Sequence, residues 1–109
     1  MVEVSEQSTT RLRLVFTDYD GITPLIPSSF KYKIDDIASG TILKVMTEVK
    51  PVATATYYLT IESAWNTIIA AGRPHEVHRA TVEWYTGTVK MGTGIYLWKV
   101  VNQALVPLT

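Results

Sequence analysis

A two-residue alternation of apolar and polar side chains recurs along this chain, and it limits the possible folds because a strand sends every second side chain to one face. Over residues 10–17, Leu12, Leu14 and Phe16 point one way and Arg11, Arg13 and Val15 the other. Phe30, Tyr32 and Ile34 alternate in the same manner with Lys31, Lys33 and Asp35, and Ala55, Tyr57, Leu59 and Ile61 with Thr54, Thr56, Tyr58 and Thr60. Two longer segments, 75–85 and 95–101, are expected to turn His78, Ala80, Val82 and Trp84 toward Tyr96, Trp98 and Val100. Segment 41–49 is strand-like but apolar on both sides, with Leu43 and Val45 on one and Ile42 and Met46 on the other, so alternation leaves its inward face unassigned. Residues 22–26, between Gly21 and Pro27, read as an edge strand, where proline's missing donor is tolerated.

Composition supports β structure. Thr occurs 15 times, Val 12, Ile nine and Tyr six, all types that suit a pleated, half-buried surface. Turn residues separate the strands at 18–21, 38–40, 50–51, 72–74 and 92–94. One segment departs from the pattern: in 63–71 (SAWNTIIAA), Trp65, Ile68 and Ile69 fall at helical spacing behind Ser63 as a potential N-cap and ahead of Gly72 as a stop. The reading is an all-β, immunoglobulin-like two-sheet antiparallel β-sandwich of about seven strands, with one short helical segment near 63–71. A small closed barrel is the structural rival, since alternation alone does not separate the two. Residues 1–9 are expected to form a flexible leader, 10–103 the domain and 104–109 a short tail.

With 109 residues and ten basic against ten acidic side chains, the chain has room for one domain and lacks the cationic excess on which phosphate-backbone binding depends. Nucleic acid is therefore not an expected partner, nor is a membrane, since no apolar run approaches the length of a bilayer span. The first ten residues do not read as a secretory signal, so synthesis in the cytoplasm is expected. The absence of cysteine removes disulfides, thiolate metal sites and thiol nucleophiles together.

The chemical motifs are incomplete. His75 and His78 are three apart on a strand and diverge, whereas a metal-binding pair there needs a spacing of two, so no metal site is expected. Asp18-Tyr19-Asp20-Gly21 resembles part of a calcium loop, but Phe16 and Pro27 occupy two essential ligand positions, and a reverse turn is the expected structure. Gly87 and Gly92 have phosphate-loop spacing, yet Thr93 stands where the lysine belongs; these glycines are expected to connect the last two strands. No serine elbow is present, and Asp35 and Asp36, as neighbours on a strand, face opposite ways, which suggests a solvated strand end. Trp84, Trp98, Tyr96, Tyr32 and Tyr57 fall on expected core faces, leaving Tyr19, Tyr58 and Tyr85 scattered, so a glycan platform is not expected. No catalytic residue and no cofactor are assigned.

The outer surfaces remain. Were the strands carrying Arg11, Arg13, Lys31 and Lys33 paired, four cations would share one face and suit an acidic neighbouring subunit. Ile42 with Met46, and Ile95 with Leu97, place apolar groups on outward faces, the usual mark of an interface. These eight residues form the candidate contact surface, for a homo-oligomer or a different subunit.

The runs Arg13–Gly21 (RLVFTDYDG), Pro27–Asp35 (PSSFKYKID), Ala38-Ser39-Gly40, Tyr58–Glu62 (YLTIE) and Tyr96–Asn102 (YLWKVVN) resemble the small immunoglobulin-like or fibronectin-III-like domains of bacteriophage and prophage structural modules. The resemblance spans residues 10–103, but the cysteine pair and a clear tyrosine corner of immunoglobulin domains are missing. It implies a non-enzymatic virion, tail or head-tail component that contacts other phage structural proteins and is assembled into a particle. An adhesion module that binds a protein or glycan through the loops Asp18–Pro27 and Gly87–Gly94 is the alternative, and a small hydrolase or metal enzyme a third.

Overall fold

The computed structural model describes residues 2–70 and 72–102; the tail expected over 104–109 lies outside them. Seven strands are present among the described residues: β1 (Val2–Ser5), β2 (Thr10–Val15), β3 (Ser29–Asp36), β4 (Ile42–Val49), β5 (Thr56–Ile61), β6 (His75–Thr86) and β7 (Val89–Val101). A five-stranded sheet runs in the order β1-β7-β6-β3-β4, and β2 pairs with β5 in a second sheet. No ladder joins the two sheets among the described residues, so the chain is an all-β sandwich and not a closed barrel.

The alternating faces are where period two puts them. Leu14, Leu59 and Ile61 from the small sheet, with Phe16 just after β2, meet Phe30, Tyr32, Ile34, Ala80, Val82, Trp84, Trp98 and Val100 from the large one, all buried. Aromatic rings bridge the layers: Phe16 lies 5.3 Å from Phe30 and 5.5 Å from Trp84 between ring centroids, and Phe30 meets Tyr57 edge-on at 5.0 Å. The indole nitrogens find acceptors at the same layer boundary. Trp84 Nε1 donates to the Thr17 carbonyl at 2.9 Å, and Trp98 Nε1 to Asn66 Oδ1 at 2.8 Å.

Several expectations are corrected. The leader supplies β1, which pairs with β7 in parallel, so the large sheet is mixed and not wholly antiparallel. Val4 within it is buried, and its apolar contact favours pairing over a loose terminus. Residues 22–26 make no strand; a single bridge between Thr17 and Pro24 closes that loop, with Asp20 Oδ1 accepting the amides of Ile22 and Thr23. The helical segment is one 3-10 turn, Ser63–Asn66, with Glu62 at the N-cap and no side-chain cap bond. Gly92 and Gly94 lie inside β7, while the β6–β7 turn is made around Gly87, whose φ of 60° suits glycine. A Cβ on Gly92 would overlap the Trp84 indole opposite it, so in this strand glycine makes space for a ring.

The ambiguity of β4 has a physical origin. Between Tyr32↔Thr47 and Ile34↔Lys44 the register slips by one residue, and it slips again before Asp35↔Ile42. Each bulge inverts the alternation, so neither parity of β4 is wholly inward.

Candidate functional site

The antiparallel register of β3 and β6 sets Asp36 opposite His78 and Asp35 opposite Arg79. Period two then separates the two aspartates. Asp35 turns to the outer face, where the Arg79 guanidinium grips it through Nε at 3.0 Å and Nη2 at 2.6 Å. Asp36 turns inward and is fully buried, as are Glu76 and His78, the alternate residues of β6. The solvated strand end expected for Asp35-Asp36 is thus corrected: strand pairing covers both residues.

Around Asp36, the chain folds into a tight turn. Ser39 donates its hydroxyl at 2.6 Å and its amide at 3.1 Å to Oδ2, and the Gly40 amide bonds the Asp36 carbonyl at 2.8 Å. Burial pushes the Asp36 carboxyl up, but the Ser39 bonds, with the charges of His78 and Arg73, outweigh it and hold the group below its ordinary value. Its other oxygen, Oδ1, is buried without a hydrogen-bond partner. Glu76 ties down the segment after the 3-10 turn, Oε1 accepting the Ile69 amide at 2.7 Å and Oε2 the Ala70 amide at 2.9 Å. His78 Nδ1 lies 3.1 Å from the Trp65 carbonyl, and Nε2 lies 3.3 Å from Glu76 Oε1. Since a carbonyl only accepts, Nδ1 carries a hydrogen and Nε2 is the nitrogen turned to the carboxylate. Arg73 Nη1 reaches Asp36 Oδ2 and Glu76 Oε2 at 3.4 Å each, and the Arg73 side chain, half-exposed, lines a cleft of about 400 Å³ with Ile37, Ala38, His75, Glu76 and Val77.

His75 and His78 diverge as strand geometry requires, His75 exposed and His78 buried. Glu76 and His78 have the two-residue spacing that puts both on one face, and the register with Asp36 supplies a third group. The first half of that signal was visible; the second depends on which strand β6 pairs with.

The proposed cationic face does not form. β2 and β3 belong to different sheets, so Arg11 and Arg13 lie on the outer side of one and Lys31 and Lys33 on the outer side of the other. Lys31 sits in a cross-strand row between Glu48 and Glu83 and over the Tyr85 ring, a neutralised position and not a cationic ridge. The apolar candidates are exposed: Ile42 by 56%, Met46 by 44%, Ile95 by 62% and Leu97 by 42%. They form two separate groups. Ile42 and Met46 lie on β4 at one margin of the large sheet, whereas Ile95 and Leu97 lie on β7, with β6 and β3 between. β1 flanks β7 only from Trp98 to Val101, so among the described residues the stretch of β7 before it has an open edge.

The Asp35–Arg79 pair carries a pH signature. The Arg79 hydrogen bonds hold the Asp35 carboxyl below its ordinary value of 3.8, against burial and with help from the charges of Arg79 and Lys33. A depressed folded-state value stabilises the fold fully above the unfolded value and loses that contribution as pH falls through the folded one. Urea unfolding at pH 6 and pH 2 will therefore show a larger acid loss for the wild type than for Asp35→Asn; equal losses would remove this pair from the acid response.

No match was found for the chain among protein-family models, curated proteins or solved structures.

Proposed function

We propose that this chain is a non-enzymatic structural component that works through subunit contacts, as in the phage and prophage modules its sequence resembles, and that it is assembled into a virion. The observation that carries this reading is the pair of apolar margins on the five-stranded sheet, Ile42 and Met46 on β4 and Ile95 and Leu97 on β7. Exposed apolar side chains grouped at strand margins favour burial against another subunit, and an open strand edge offers backbone donors and acceptors to it. Because the two margins are different surfaces, a contact of one against the other is head-to-tail and generates rings or filaments. Light scattering and native mass measurement will show concentration-dependent association, weakened at least about tenfold by Met46→Glu or Leu97→Glu, since a charge buried at such a contact costs well over 1.4 kcal/mol. A strict monomer, unchanged by either substitution, would overturn the proposal.

A second reading is favoured by the Asp18–Pro27 loop, which exposes Tyr19, Ile22 and Ile26 while the Asp20 turn holds it in shape. Such a tip suits recognition of a receptor protein or glycan. Saturable glycan-array binding lost in Tyr19→Ala would favour it over the first.

A further inference from the structure

The buried group at the start of β6 has a feature that a purely structural ion pair does not account for. Asp36 is fully buried, and its Oδ1 has no hydrogen-bond partner, although leaving a buried carboxylate oxygen unsatisfied is costly. Each of the three residues offers one ligand atom, and these atoms lie within 4.8 Å of one another. We propose that Asp36, Glu76 and His78 hold a divalent transition-metal cation of the zinc and cobalt class.

The donor set selects the class of ion. One imidazole nitrogen with two carboxylates suits zinc and its neighbours, whereas calcium and magnesium favour all-oxygen shells. Nδ1 of His78 donates to the Trp65 carbonyl, which fixes the ring and leaves Nε2 to face the carboxylates, the outer-shell arrangement of histidine ligands. Glu76 is oriented in the same way by the amides of Ile69 and Ala70. The separation of 3.3 Å between His78 Nε2 and Glu76 Oε1 is longer than a charge-assisted hydrogen bond, about 2.8 Å. It matches the separation of about 3.3 Å between two ligands bonded at about 2.0 Å to one tetrahedral ion. Closing Asp36 onto the ion requires side-chain shifts on the order of 1 Å.

Arg73 supplies the competing charge and the way in. Its two contacts to the carboxylates are long and share one nitrogen, and its half-exposed side chain borders the cleft that Glu76 also lines. Withdrawal of the guanidinium into solvent admits the cation, which takes over its charge balance. The ion then pins the Trp65–Ala70 segment to the large sheet, a stabilising role independent of the subunit contacts proposed above.

The test uses zinc chloride and cobalt chloride on the whole chain after chelator treatment. Equilibrium dialysis will find one Zn2+ per chain, and at a hundredfold excess over its dissociation constant the ion will raise Tm by about 10 °C. Co2+ will give the intense visible absorption of a four-coordinate site. Asp36→Asn keeps the shape and an acceptor for Ser39, and will weaken Zn2+ binding by more than about tenfold, whereas His75→Gln will leave it unchanged. A wild type that neither binds Zn2+ saturably nor colours with Co2+ overturns the proposal, whatever the folding of the variants. So does binding that survives Asp36→Asn and His78→Gln but is lost in His75→Gln.

Discussion

Phe16→Ala will destabilise the domain by about 3–5 kcal/mol, the range for truncating a fully buried phenylalanine. Phe16 lies just beyond β2, its amide bonded to the Ala55 carbonyl at 2.8 Å, and its ring packs between Phe30 and Trp84 of the opposite sheet. Two of its neighbours are rigid rings, so the cavity left by truncation collapses poorly and the upper part of the range is expected. Equilibrium urea unfolding followed by tryptophan fluorescence measures it. A loss below about 1.5 kcal/mol would mean that the layers do not close on this ring.

Asn66→Ala will cost about 2–4 kcal/mol through a different mechanism, because the substitution leaves the buried Trp98 indole N–H and the part-buried Ser8 carbonyl without their partner. Asn66 is fully buried at the end of the 3-10 turn; its Nδ2 donates to the Ser8 carbonyl at 2.6 Å and its Oδ1 accepts from Trp98 Nε1 at 2.8 Å. Its own carbonyl accepts the Gln7 amide at 2.8 Å, so this residue joins the connection between β1 and β2 to a core tryptophan of β7. Trp98→Phe removes one of these donors. A double-mutant cycle between the two substitutions will give a coupling of about 1 kcal/mol, and additivity would show that the indole bond is not retained in solution.

Much of the fold was legible in the sequence because its strands obey one rule. β2, β3, β5 and β6 each carry large apolar groups at alternate positions, and all four bury the expected side. β4 resisted because its two bulges break the alternation itself. β1 resisted for another reason: four residues, Val2–Ser5, hold too little pattern to be told from a loose terminus, and their pairing depends on the exposed side of β7. Gly92 and Gly94 were mistaken for a turn because a glycine that makes room for a ring looks, in sequence, the same as one that permits a positive φ.

The candidate site was only half visible. Glu76 and His78 announce a shared face by spacing alone, but Asp36 lies 40 residues from Glu76 and is joined to it through the β3–β6 register. The cationic face failed at the same level, since it required β2 to pair with β3, and β2 pairs with β5 instead.

The amino-acid order alone determined which side of each regular strand is apolar, that the chain is all-β, and where most of the turns fall, because these follow from backbone geometry over a few residues. Which strands pair, in what register, and hence which charged groups meet in the interior were decided only by tertiary structure. Those choices come from fitting whole apolar faces and aromatic rings against one another, a constraint that acts between residues far apart in the chain.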